Sequence, residues 1–207
     1  GRPGDTVRIA AGTYELPGTT WPSSVSPETW ASLLFKSLTL VGAGRDQTFL
    51  NLTEQGRIYL DGGSSVLRNM TIRVVSAAWY ECAGIYANKV ENFGMCDVDF
   101  QFNDSVEGYA GIQVIPAANT VVQIYNSEIA GPGAAWVNNG LSLALAENTS
   151  STVYVQSTTI SNWNIGISYW ANLVANNCVQ RVYADCSDIY CQEKRIYDLT
   201  SFADQCD

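Results

Sequence analysis

The chain has 207 residues, with 11 basic and 20 acidic side chains, no histidine and a formal net charge of −9. That balance argues against a nucleic-acid backbone or an anionic membrane surface as partner. The absence of imidazole removes Ser-His-Asp, Cys-His and His-based zinc chemistry, and no apolar run approaches the ~18 residues of a membrane-spanning helix.

In chain order, the start "GRPGDTVRIAAGTYE" has neither an initiator Met nor a charged-then-apolar leader, so a preceding segment, including an N-terminal cap, is expected to be missing. The stretch "SPETWASLLFKS" can form a short helix, with Ser26 as N-cap before Pro27. Everything after it is short β-branched runs broken by Gly, Asn and Asp, the signature of an all-β chain. Cys82, Cys96, Cys178, Cys186, Cys191 and Cys206 form no CxxC pair. In an acidic, Lys-poor chain they suggest disulfides in a secreted protein. Cys82 with Cys96 is one pairing open to them, and the last four allow three arrangements.

A repeat runs through the chain. Apolar anchors at Ile9, Leu40, Ile72, Phe100, Ile129, Ile160 and Ile189 recur every 28–32 residues. The residue before each is polar: Arg8, Thr39, Thr71, Asp99, Glu128, Thr159 and Asp188. Three before stands Thr6, Ser37, Asn69, Asp97, Asn126, Ser157 or Cys186; five before, from the second copy, stands Phe35, Leu67, Met95, Ile124, Val155 or Ala184. Period-2 alternation makes the position three before the anchor inward-facing. Thr6, Ser37, Asn69, Asp97, Asn126 and Ser157 are therefore expected to form a structural ladder inside the core, each bonding its neighbours. A second series, Arg57-Ile58, Gly84-Ile85, Gly111-Ile112, Gly140-Leu141 and Gly166-Ile167, marks another strand. Glycine at its entry suits a sharp corner.

The pattern predicts an all-β right-handed parallel β-helix, a solenoid of about seven coils of roughly 30 residues with three strands each. Residues 1–207 are expected to form a single domain. Regular coils would fill 1–177, and a Cys-rich C-terminal coil and cap would fill 178–207.

"PGDTVRIAAGTYE" resembles the first coil of pectate-lyase-like right-handed β-helix proteins, and "GIYANKVENFGMCDVDF" and "GIQVIPAANTVVQIYNSEI" resemble later coils. The resemblance implies a polysaccharide lying along the outer face of one parallel sheet, flanked by the loops before it. On the second series that face would carry Tyr59, Tyr86, Gln113, Ser142 and Ser168, then Asp61, Asn88, Ile115, Ala144 and Trp170. Trp79, Tyr80, Tyr86, Tyr109, Trp136 and Trp170 are the candidate glycan- or partner-binding aromatics, while Trp163 is expected in the core. No catalytic residues are assigned. The Arg-rich motif of pectate lyases is absent, as are the polygalacturonase signatures and the paired Asp pattern of pectin methylesterases. Were the chain an enzyme, Glu81, Glu107, Lys89 and Tyr86 would be its candidates, with Glu81 and Glu107 one coil apart. No cofactor or metal is expected; Ca²⁺ enters only for a lyase, and the charged oxygens it needs are few here. The expected function is a secreted, extracellular module with a structural, adhesive or glycan-binding role, its partners a glycan surface or like subunits assembled into a fibre. The alternative is a polysaccharide-active enzyme, a uronate lyase or a glycoside hydrolase.

Overall fold

A computed structural model describes residues 2, 4–21, 29–54, 56–75, 83–102, 110–132, 139–145, 150–163, 165–171, 179–185 and 189–191; the side chains of 20–30, 118, 144–151, 165, 168–171 and those beyond 178 are not among the described features. The described residues form an all-β parallel solenoid of about four turns. No helix is present among them, so none is long and apolar enough to cross a membrane. Where the sequence suggested a helix, Thr29–Ala31 pairs antiparallel with Thr19–Trp21, and Leu33–Phe35 pairs parallel with Ile58–Leu60. Residues 22–28 of that stretch lie outside the described ones. Lateral pairing beside an apolar column outweighs the weak local helix preference of so short a segment.

Three columns of in-register residues organise the molecule. The first runs Leu33, Ile58, Ile85, Ile112, Leu141, Ile167. The second runs Val7, Leu40, Leu67, Met95, Ile124, Val155, Ala184. The third runs Tyr14, Leu50, Ile72, Phe100, Ile129, Ile160, Ile189. From Ile58 to Ile160 the described members of these columns are sealed from solvent and merge into one core. Each such aliphatic side chain contributes about 1.5–3 kcal/mol by leaving water.

The expected anchors from Ile72 onward all stand in the third column, but Ile9 and Leu40 do not. Leu40 pairs with Leu67 in the second column, and Leu50 and Tyr14 occupy the places assigned to Leu40 and Ile9. The cause is local. Later turns cross the corner between the second and third columns with one or two residues, whereas here Gly42–Gln47 intervene between Val41 and Thr48. Spacing therefore matched the wrong strand in the first two copies; of the seven coils expected, about four turns are described.

The polar ladder is also relocated. Asn69, Asp97, Asn126 and Ser157 have φ of 55°, 55°, 43° and 48°, in the left-handed region. A residue in that region turns the chain without continuing the strand alternation. The next residue, Met70, Val98, Ser127 or Thr158, is the one that faces the core and is buried. The polar residue itself sits on the outer corner: Asn126 and Ser157 are exposed, Asn69 and Asp97 half-buried. Ser37 (φ 51°) belongs to the other corner, where a Cβ on Gly63 would lie 1.9 Å from its hydroxyl oxygen, and Thr6 is an exposed residue paired with Thr39. Rung-to-rung side-chain bonds do form, but on the outer surface. Asn126 Nδ2 donates to Asp97 Oδ1, Asn92 Nδ2 to Ser64 Oγ (2.8 Å), and Asn51 Nδ2 to Glu15 Oε1 (2.6 Å).

The glycines that open the first-column strands are not corner residues either. Gly84, Gly111 and Gly140 lie inside strands, without positive φ. A side chain there would collide with the core. A Cβ on Gly84 meets Val74 Cγ2 at 2.5 Å, and one on Gly111 meets the Trp163 ring at 2.8 Å. Trp163 is fully buried as the sequence suggested, edge-on to Phe102 at 5.8 Å, with Nε1 donating to the Ile129 carbonyl at 3.0 Å.

Candidate functional site

Two outer faces carry polar and aromatic side chains in register. On the first-column face, Tyr59, Tyr86, Gln113 and Ser142 share a row. Asp61 and Asn88 share the next, joined by an Asn88 Nδ2 bond to Asp61 Oδ1 at 3.2 Å. The rings of Tyr59 and Tyr86 stack with centroids 5.2 Å apart and planes 24° apart. Only part of this row is open: Tyr59 is 7% exposed and Ser142 0%, while Tyr86 and Gln113 are half-buried. Ser142 Oγ meets no hydrogen-bond partner among the described residues. Burial, then the neighbouring Tyr86 and Asp61, pushes the Tyr59 phenol above its ordinary value; the Asn88 hydrogen bond and Arg57 oppose this.

The third-column face holds an open groove of about 740 Å³. Its floor is the row Phe49, Thr71, Asp99, Glu128, one residue per rung. The parallel row Asn51, Arg73, Gln101, Ala130 lies beside it. Asn69 and Asp97 of the left-handed corner, and Gly44, Arg45 and Asp46 of the long turn, complete the wall. The turn is tied down where Thr71 Oγ1 donates to the Arg45 carbonyl at 2.6 Å, and Arg45 Nη1 contacts Asp99 Oδ1 at 2.9 Å. On the neighbouring row the Arg73 guanidinium lies 4.5 Å over the Phe49 ring centroid, and its Nε donates to Gln101 Oε1 at 3.1 Å. The groove thus offers an aromatic face capped by a planar donor, amides and carboxylates at a rung repeat of ~4.8 Å. Neutral polyols are recognised by such a set.

The sequence pointed to the first-column face and passed over this groove. Arg45 and Phe49 escape the spacing because the early copies are out of register, and Arg73 and Gln101 because the position after the anchor keeps no common residue type, being Ala130 in the next copy. A signal was present, since the polar residue before each anchor supplies Thr71, Asp99 and Glu128 to the floor.

Of the expected catalytic candidates, Tyr86 stacks on Tyr59, while Lys89 is exposed at a corner with φ 50°. Glu81 and Glu107 lie outside the described residues, as do Trp79, Tyr80, Tyr109 and Trp136. Trp170 pairs in backbone register with Ala144, and its side chain is not among the described ones. No cluster of carboxylates, thiols or imidazoles suited to a metal ion occurs among the described residues.

Among the described residues no disulfide is found and Cys96 carries a free thiol; Cys82, the partner open to it, lies outside them. Cys96 stands on the outer side of its strand beside the corner, its Sγ 3.4 Å from Asp97 Oδ2. Burial, then the hydrogen bond and charge of Asp97, push the thiol above its ordinary value. Cys82, Cys178, Cys186 and Cys206 lie outside the described residues, and Cys191 contributes only its backbone, opposite Trp163.

No protein-family model, curated protein or solved structure matches this chain.

Proposed function

We propose that the chain is an extracellular, glycan-binding β-solenoid module, its coils right-handed with three strands each in the manner of pectate-lyase-like proteins. The observation that carries this reading is the groove on the third-column face, where Phe49, Thr71, Asp99 and Glu128 stand one per rung beside Arg73 and Gln101. An extended sugar chain lying along the solenoid axis presents a ring at about the same repeat as the rungs (~4.8 Å). Each rung would then contact a chemically similar unit of the ligand. The acidic composition and the scarcity of Lys support a location outside the cell.

Affinity electrophoresis and calorimetry against a panel of soluble plant, fungal and algal polysaccharides test the reading. The native chain is expected to be retarded by at least one of them, and Phe49→Ala to lose roughly tenfold in affinity. Failure of every polysaccharide to bind would sink the proposal.

A second reading, a polysaccharide-active enzyme, draws support from Asp99 and Glu128, in register on adjacent rungs. The rung spacing is near the ~5–5.5 Å separation of carboxyl groups in retaining glycosidases. For this reading Glu128→Gln is expected to abolish release of reducing ends while leaving binding in place. Equal product from both proteins would exclude it.

A further inference from the structure

The charge in the groove is unbalanced. Four carboxylates, Asp46, Asp97, Asp99 and Glu128, accompany two guanidiniums, Arg45 and Arg73. Both guanidiniums are engaged by the protein itself, Arg45 with Asp99 and Arg73 with Gln101 and the Phe49 ring. Asp97 accepts from Asn126 and from the Cys96 thiol, both uncharged. No cation among the described residues forms an ion pair with Asp46, Asp97 or Glu128. Around the groove the whole chain carries a formal net charge of −9.

Resting on the glycan-binding reading, we infer that the groove selects an uncharged sugar chain and discriminates against polyuronates. A uronate brings one negative charge per ring, hence about one per rung, against carboxylates whose charge is not cancelled. Each guanidinium already holds one protein partner, and a uronate reaching its remaining N–H groups still meets the uncancelled charge of Asp46, Asp97 and Glu128. An uncharged ring meets no such penalty. Its hydroxyls donate to the carboxylate oxygens of Glu128, and the amide of Gln101 accepts and donates beside them. Its apolar face lies against the Phe49–Arg73 platform. The specificity thus comes from repulsion as much as from fit.

The test is calorimetric titration of the full chain with cellohexaose, xylohexaose and mannohexaose, each compared with hexagalacturonate, at low and at moderate ionic strength. At least one neutral hexasaccharide is expected to bind, with hexagalacturonate at least about tenfold weaker at low salt. Screening should shrink that gap as salt rises. The double substitution Asp97→Asn with Glu128→Gln should strengthen hexagalacturonate binding several-fold, the fold being checked by far-ultraviolet circular dichroism. The single substitution Asp46→Asn, on the exposed turn, is the second variant should the double one unfold. Hexagalacturonate binding as tightly as the neutral chains at low salt overturns the inference and leaves glycan binding intact. Hexagalacturonate affinity unmoved in a folded variant overturns it too. Binding of none of the four overturns the inference; failure of the whole polysaccharide panel as well overturns the glycan reading along with it.

Discussion

Lys89 occupies a corner with φ 50°, where the preceding turn has Gly62 and Gly63 at 71° and 64°. A side chain with a Cβ costs about 1–2 kcal/mol in that conformation, and glycine relieves it. Lys89→Gly is therefore expected to raise stability by about 0.5–1 kcal/mol, read as a higher denaturation midpoint with an unchanged slope. A lower midpoint would mean that the exposed ammonium group does something the backbone geometry does not reveal. Tyr59 offers a test by pH. Its neutral phenol is favoured in the folded state, so its folded value exceeds the ordinary one near 10.0. Its contribution is fully present below that value and is lost as pH rises from it toward the folded value, because the unfolded chain ionises first. Tyr59→Phe should flatten that alkaline loss in a stability–pH profile. Cys96 follows the same sign: alkylation by iodoacetamide at neutral pH should be slow, and Asp97→Asn should accelerate it by removing one of the influences that raise the thiol.

At the scale of the strand, the glycines and Trp163 form one packing unit. The indole fills the space that side chains on Gly111, Gly131 and Gly140 would claim. Gly111→Ala is expected to cost about 1–3 kcal/mol by overpacking, and Trp163→Ala about 3–5 kcal/mol through the cavity it leaves. If Gly111→Ala in a Trp163→Ala background is nearly neutral, the clash is confirmed as the cause of the cost. The same elements show what spacing can reveal. Ile72, Phe100, Ile129 and Ile160 were legible because successive turns of nearly equal length place them in one column. Leu50 was hidden because Gly42–Gln47 lengthens one corner, and spacing does not register an insertion balanced by a shorter connection elsewhere. Asn69, Asp97 and Asn126 were recognisable as a recurrent polar position, yet their side of the wall was misassigned. Alternation counts residues, and a single left-handed residue resets the count. The groove was harder to find for a related reason. Its floor recurs with the repeat, but Arg45 and Asp46 come from the irregular turn and Phe49 from the copy that was out of phase.

For the molecule as a whole, each turn touches only its neighbours, so stability is approximately a sum of intrinsic and nearest-neighbour terms. Unfolding should therefore advance from the weakly packed first strand. In native-state hydrogen exchange, the amides around Ile85, Met95 and Phe100 are expected to outlast those of Thr6–Arg8, whose side chains are all exposed. Protection that is uniform along the chain would point instead to one cooperative unit. The in-register floor of the groove has a further consequence. Because Phe49, Thr71, Asp99 and Glu128 advance by one rung each, the surface is graduated like a ruler, and its usable length is fixed by how many turns carry a floor residue. A ligand built from equal units would gain affinity with each added unit until it outruns the last mark, and then stop gaining. The chain would count as well as bind, and inserting or deleting a single turn would change the number at which it stops.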